Sequence, residues 1–297
     1  MKRRTFLQTA VAGAVAARAV RVAGATEESD SAEKQRVPLK VGIRAASMKM
    51  VGDLDVIRTA ARVPGLMGVE LQVTHGKANL RDWDVVRQYK AEAHRWGMQI
   101  PSLAGVWDRG VQFNHPAAVD SLAKSIRAAE LLGSRTILVA FFRQNAPDMT
   151  RDASYGPVVD TLKKAARPAA DAGVIMGLEN SLSPADNRKL VDLVDDPAVR
   201  IYYDLHNMAF YGHGDQAVQG IKLLGNERLC MVHVKNEKML LEEPGMVDWV
   251  AAFRAFSDIQ YDGWYIYETA HDSIADCLAD TVKNNAFLKD HAQMPLL

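Results

Sequence analysis

From residue 39 onward the chain alternates between two hydrophobic rhythms. Short runs such as 136–142 are apolar almost throughout, whereas longer stretches carry apolar residues on one side only, as at Val119, Leu122, Ala123, Ile126 and Ala129 through Leu132. Continuous apolar runs of this length are expected of strands buried on both faces of a parallel sheet, and one-sided spacing is expected of the helices that cover it. The pattern predicts strands at 39–44, 69–73, 98–103, 136–142, 174–178, 199–203, 229–232 and 264–267. Helices are predicted near 53–62, 84–96, 116–132, 158–172, 184–194, 217–224, 247–256 and 274–289. Gly97, Gly133, Gly173 and Gly225 each follow a predicted helix, where the left-handed turn of a C-cap favours a residue without Cβ.

Eight strand-then-helix units in about 260 residues predict a single α/β domain spanning 38–297, a closed (β/α)8 TIM barrel. A doubly wound open sheet is the alternative, and it offers no reason for eight units. Four of the predicted strands end on side chains able to bind a metal. The run 174–178 leads into Glu179, 199–203 into Asp204, 229–232 into His233 and 264–267 into Glu268. Gaps of 25, 29 and 35 residues separate these four, each long enough for the crossover that a parallel strand requires. Neighbouring parallel strands bring their C-terminal ends together, so the four side chains are expected at one spot.

The first residues follow another logic. Lys2-Arg3-Arg4-Thr5-Phe6-Leu7-Gln8 carries a twin arginine, a small-residue apolar stretch runs from Ala10 to Ala17, and Ala23-Gly24-Ala25 offers a cleavage site. Residues 1–25 are therefore expected to be a twin-arginine signal peptide, with 26–37 a flexible lead-in and the mature protein periplasmic or otherwise exported by that pathway. The apolar stretch is far short of the roughly 20 residues a membrane span needs. The full chain has 36 basic and 36 acidic residues, and without the leader 31 basic residues face 36 acidic ones. An acidic mature protein is a poor partner for nucleic acid, whose affinity rests on Lys and Arg neutralising phosphates. Cys230 and Cys277, the only cysteines, are expected as buried free thiols.

Three carboxylates and one imidazole form a mostly oxygen donor set. Such a set suits Mn²⁺, the first expectation, with Mg²⁺, Co²⁺ or Zn²⁺ as alternatives. An ion with open positions can take the carbonyl and neighbouring hydroxyl of a hydroxy-ketone and stabilise the enediolate left by proton removal. Two bases on opposite faces would give epimerisation, and one base shuttling between carbons would give isomerisation. Further groups fall at the same rim. Glu70 lies inside the second strand, where it can support substrate or a ligand, or pair with an arginine such as Arg44. His75, Trp107, His206, Asn207 and Lys235 are candidate substrate contacts, and Phe141 and Phe142 are either pocket wall or core.

Gly177-Leu178-Glu179-Asn180, Tyr203-Asp204-Leu205-His206-Asn207, His233-Val234-Lys235-Asn236 and the closing stretch through Val247-Asp248-Trp249, Tyr261-Asp262-Gly263-Trp264 and Glu268 resemble the xylose isomerase-like TIM barrel superfamily. Within it they are most similar to the sugar phosphate isomerase/epimerase group. The resemblance implies a divalent ion held by Glu179, Asp204, His233 and Glu268, with Glu179 and Glu268 also acting as catalytic acid and base on a small carbohydrate. It also has departures. Ketose 3-epimerases carry another Glu just past the strand-five ligand, where this chain has Ser183-Pro184-Ala185. They place an Arg beyond the strand-seven His, where Lys235 and Lys238 stand, and a His where Asn207 stands. The resemblance thus extends to the metal centre and not to the substrate contacts. A non-catalytic periplasmic sugar- or metal-binding barrel is the rival reading, followed by a metal-dependent lyase, dehydratase or endonuclease of the same superfamily. Substrate identity and homo-oligomerisation stay open.

Overall fold

The computed structural model describes residues 39–74, 78–238 and 240–292. The expected export segment, the lead-in and His75 lie outside the described residues. Strands β1 (Lys40–Arg44), β2 (Gly68–Gln72), β3 (Ser102–Ala104), β4 (Thr136–Phe141), β5 (Ile175–Asn180), β6 (Val199–Asp204), β7 (Leu229–Val234) and β8 (Trp264–Tyr267) pair in sequence order. All pairings are parallel, and β1 pairs with β8 to close the barrel. Helices α1 (Val56–Ala60), α2 (Trp83–Trp96), α3 (Ala118–Leu132), α4 (Asp152–Asp171), α5 (Pro184–Val194), α6 (Leu205–Met208), α7 (Gly214–Arg228), α8 (Trp249–Asp258) and α9 (Ile274–His291) fill the connections. Among the described residues no helix is long and apolar enough to cross a membrane.

Side chains alternate across each strand with period two, and this alternation separates the two halves of the core. Val41, Ile43, Val69, Leu103, Ile137, Val139, Leu178, Tyr203, Val232 and Tyr265 belong to the large apolar layer. Ala104, Leu138, Tyr202, Met231 and Ile266 form a separate small cluster, with Ala140, Cys230 and Trp264 packed against it. Their positions alternate with the first set, which makes them the filling of the barrel itself. The small cluster lies under the strand ends, so the polar side chains one step further along the same strands stand on an apolar floor.

Two glycines make room for that filling. A Cβ at Gly42 would meet Ile266 Cδ1 at 2.8 Å and the Gly68 carbonyl oxygen at 2.9 Å. A Cβ at Gly177 would meet Cys230 Sγ at 2.8 Å and the Tyr202 ring at 3.2 Å. Both cysteines are free thiols. Burial pushes the Cys230 thiol up to about 12, which disfavours the thiolate.

Three elements differ from the sequence expectation. Strand β3 is shorter than 98–103 because Pro101 has no N–H to donate, which leaves Gly68 and Gln99 as an isolated bridge before the ladder resumes. Helix α4 starts at Asp152 rather than near 158, with Pro157 inside it rather than before it. The chain after β6 turns helical at once, through α6 and a π-turn at Ala209–His213, before α7 begins. Gly225 does leave helical geometry, with φ 68°.

Because the backbone of Gly68 is one of the neighbours, Gly42→Ala cannot be relieved by a side-chain rotation. It is expected to destabilise the protein by about 1–3 kcal/mol, read as a lower urea midpoint with an unchanged slope.

Candidate metal centre

The four strand ends converge. One donor atom each from Glu179, Asp204, His233 and Glu268 lies within 4.8 Å of all the others. His233 Nδ1 is 3.0 Å from Glu179 Oε1, 3.2 Å from Glu268 Oε2 and 3.8 Å from Asp204 Oδ2. Donors bound about 2.1 Å from one six-coordinate ion sit about 3 Å apart along an octahedron edge and about 4 Å apart across it. The spacing therefore fits a single ion. Glu179, Asp204 and His233 are buried, while the Glu268 side chain keeps 23% of its exposure and forms the open side.

Local structure explains how the groups are held. Asp204 ends β6 and at the same time caps α6, its Oδ1 accepting from the Asn207 N–H at 2.8 Å. That cap turns Asn207 inward, where its Nδ2 donates to Glu179 Oε1 at 2.9 Å. Lys235 follows His233 at the same strand parity, and its Nζ lies 2.8 Å from Asp204 Oδ2 and 2.7 Å from Glu268 Oε2. Arg44, at the end of β1, reaches Glu268 Oε1 with one arm and Glu70 Oε1 with Nε at 2.7 Å. The two oxygens of Glu268 are thus divided between an arginine and a lysine.

Charge bears on the fit as well. Glu70, Glu179, Asp204 and Glu268 carry four negative charges against the two positive charges of Arg44 and Lys235. With the four carboxylates ionised and His233 neutral, as a histidine bound to a metal would be, two negative charges remain, the amount a divalent cation would cancel. Asp204 Oδ2 is also buried without an aligned hydrogen-bond donor. Burial, aided by Glu179, raises the Asp204 carboxyl more than Lys235 lowers it. Burial works in the same direction on Glu179, but His233, Lys235 and Arg44 outweigh it and hold that carboxyl down. Burial lowers His233, and the charges of Glu179 and Glu70 raise it further than burial lowers it. The residues present suit a divalent ion on number, spacing and charge.

The other predicted contacts separate. Lys235 and Asn207 touch the ligand set. His206 is buried beside it, with Nε2 3.6 Å from Glu237 Oε1, and burial lowers its proton affinity. Trp107 donates from Nε1 to the Ala140 carbonyl at 3.0 Å, and Ala140 pairs in register with Glu179. Phe141 is core, packed edge-on against Phe113 at 5.0 Å, whereas Phe142 stacks on Tyr211 at 5.7 Å. Glu70 is not at the surface of the pocket. It is 1% exposed and receives hydrogen bonds from Ser102 Oγ and Tyr202 OH, both 2.7 Å from Oε2.

The sequence expectation therefore missed Ser102, Tyr202 and Tyr211, and it named Arg44 only as a partner for Glu70. Strand parity carries the signal for three of them. Arg44 is two past Gly42, Ser102 precedes Ala104 by two, and Tyr202 precedes Asp204 by two, so each points into the barrel with those neighbours.

The chain belongs to the xylose isomerase-like TIM barrel family, whose model matches residues 57–291. It is 34% identical over 128 residues to 2-epi-5-epi-valiolone 7-phosphate 2-epimerase of Actinoplanes sp. (strain ATCC 31044 / CBS 674.73 / SE50/110), a match covering 42% of this chain and 46% of that protein. Among solved structures it resembles a D-psicose 3-epimerase crystallised in the presence of D-fructose, at TM-score 0.73 and 16% identity, over 86% of this chain and 99% of that one. It also resembles the 3-keto-D-glucoside 4-epimerase from E. coli, at TM-score 0.67 and 19% identity, over 85% and 99%.

Burial alone would raise the Glu70 carboxyl, but Arg44 and then His233 outweigh it and hold it at about 2. A carboxyl depressed in the folded state stabilises the fold above its ordinary range, and the contribution disappears as pH falls through that range towards the folded value. Urea midpoints of the wild type are expected to fall steeply between about pH 5 and pH 2. Glu70→Gln is expected to be less stable at neutral pH and to show a shallower fall.

Proposed function

We propose that this protein is a divalent-metal-dependent epimerase or isomerase of a sugar or related hydroxy-ketone. The observation that carries the reading is the meeting of Glu179, Asp204, His233 and Glu268 within 4.8 Å at the C-terminal end of the barrel, where enzymes of this fold place their chemistry. Those four residues would hold the ion, with Mn²⁺ the first candidate on donor type. The ion, when bound, supplies Lewis acidity to the substrate carbonyl.

The chain's own residues do the proton work. Glu179 comes from β5 and Glu268 from β8, with Asp204 and His233 between them. Two carboxylates that flank a substrate can remove and return a proton at one carbon from opposite faces, which favours epimerisation over isomerisation. Lys235 and Arg44 hold Glu268 from two sides. Asn207 fixes the rotamer of Glu179. Tyr211 and Phe142 offer an aromatic face near the mouth, and the Trp107 ring lies beside the strand end that carries Glu179. The likeness to a 2-epi-5-epi-valiolone 7-phosphate 2-epimerase, a D-psicose 3-epimerase and a 3-keto-D-glucoside 4-epimerase supports the same class. The twin arginine at Arg3-Arg4, read as an export signal, adds the proposal that the folded protein works in the periplasm or is otherwise exported.

Solvent exchange at carbon distinguishes this enzyme from a binding barrel, because only a positioned base removes a C–H proton. The metal-loaded protein in D₂O is expected to incorporate one deuterium per turnover into its ketose, with D-psicose and D-fructose tried first. Glu268→Gln is expected to lose about 10²- to 10⁴-fold of the exchange rate while keeping its circular dichroism. Exchange at the wild-type rate in that variant, or after chelation of the ion, would refute the assignment.

A further inference from the structure

His233 faces two carboxylate environments, one at each ring nitrogen. Nδ1 is directed at the ligand set, 3.0 Å from Glu179 Oε1 and 3.2 Å from Glu268 Oε2. Nε2 is buried, has no short hydrogen bond, and lies 3.5 Å from Glu70 Oε1. A neutral imidazole has one lone pair and one N–H, so Nδ1 can serve a cation only if Nε2 carries the proton. A buried N–H left without an acceptor costs about 1–3 kcal/mol. Glu70 Oε1 is the oxygen that meets it.

Glu70 is not placed there loosely. Arg44 Nε holds Oε1 at 2.7 Å, and Ser102 Oγ and Tyr202 OH hold Oε2 at 2.7 Å each. These holders come from β1, β3 and β6, while Glu70 itself sits on β2 and His233 on β7. The Tyr202 ring also lies against the imidazole, 4.3 Å between centroids, and so limits rotation of His233. Five strands thus converge on the far side of a single ligand.

We propose that Glu70 is a positioning residue: it accepts the Nε2 proton of His233, selects the tautomer with a free Nδ1 lone pair, and thereby sets the affinity of the cage. The inference rests on the reading of His233 as a ligand. Arg44 extends the same device to the open side, since its second arm holds Glu268. Carboxylates behind a ligating histidine raise its basicity and fix its ring, and their loss costs about 10- to 100-fold in metal affinity.

Two measurements test this. In ¹⁵N-histidine-labelled protein loaded with diamagnetic Zn²⁺, the His233 resonances are expected to show a protonated Nε2 and a bare, metal-shifted Nδ1. A proton on Nδ1 would overturn the inference without any variant. In Co²⁺ titrations followed by calorimetry and by the visible d–d bands, Glu70→Gln is expected to bind about 10- to 100-fold more weakly with altered bands. Should that variant fail to fold, Ser102→Ala and Tyr202→Phe each remove one holder of Glu70 and are expected to weaken binding several-fold. Wild-type affinity and spectrum in Glu70→Gln, or in the Ser102→Ala/Tyr202→Phe double variant, would refute the role of Glu70 alone. Failure of the wild type itself to take up Co²⁺ would remove the metal reading and the inference with it.

Discussion

The mouth of this barrel is organised by charge that cannot be left unbalanced. Glu70, Glu179 and Asp204 are almost fully removed from water, and Glu268 is largely so. Ionised carboxylates in such surroundings are expensive unless each has a partner. Arg44 and Lys235 neutralise two of the four, and the remaining balance is one that a divalent ion held by this cluster would supply. The proposed ion binding and the folding would draw on the same electrostatics. A substitution that removes one charge at this site therefore leaves another exposed to an apolar interior, and its effect would reach both stability and the cation affinity proposed for the site.

The apolar floor is what lets the charges stand close together. Tyr202, Leu138, Met231 and Ile266 fill the barrel beneath the ligand set, and Gly42 and Gly177 open the space those side chains need. A low-dielectric floor strengthens every interaction above it. Tyr202 belongs to both layers, since its ring packs in the floor and against His233 while its hydroxyl holds Glu70.

The segment after β6 shows one side chain serving three purposes. Asp204 is a candidate ligand, the N-cap of α6, and through that cap the reason Asn207 meets Glu179. The π-turn that follows carries Tyr211 against Phe142. Irregular helical turns of this kind are common where a chain must aim side chains at a site.

Much of this was legible in the linear chain. Eight apolar runs alternating with one-sided helices determine the barrel, because parallel strands buried on both faces and helices buried on one face leave few other ways to cover each other. The four terminal side chains Glu179, Asp204, His233 and Glu268 were visible for the same reason, since parallel strands end on one side. Tertiary structure alone decided the rest. Whether Glu70 opened to the pocket or turned inward depended on Arg44, Ser102 and Tyr202, which lie 26, 32 and 132 residues from it and have no local relation to it. Which nitrogen of His233 faces the cage, and which cation each oxygen of Glu268 meets, follow from distances across the barrel, and periodicity along a strand carries no information about those.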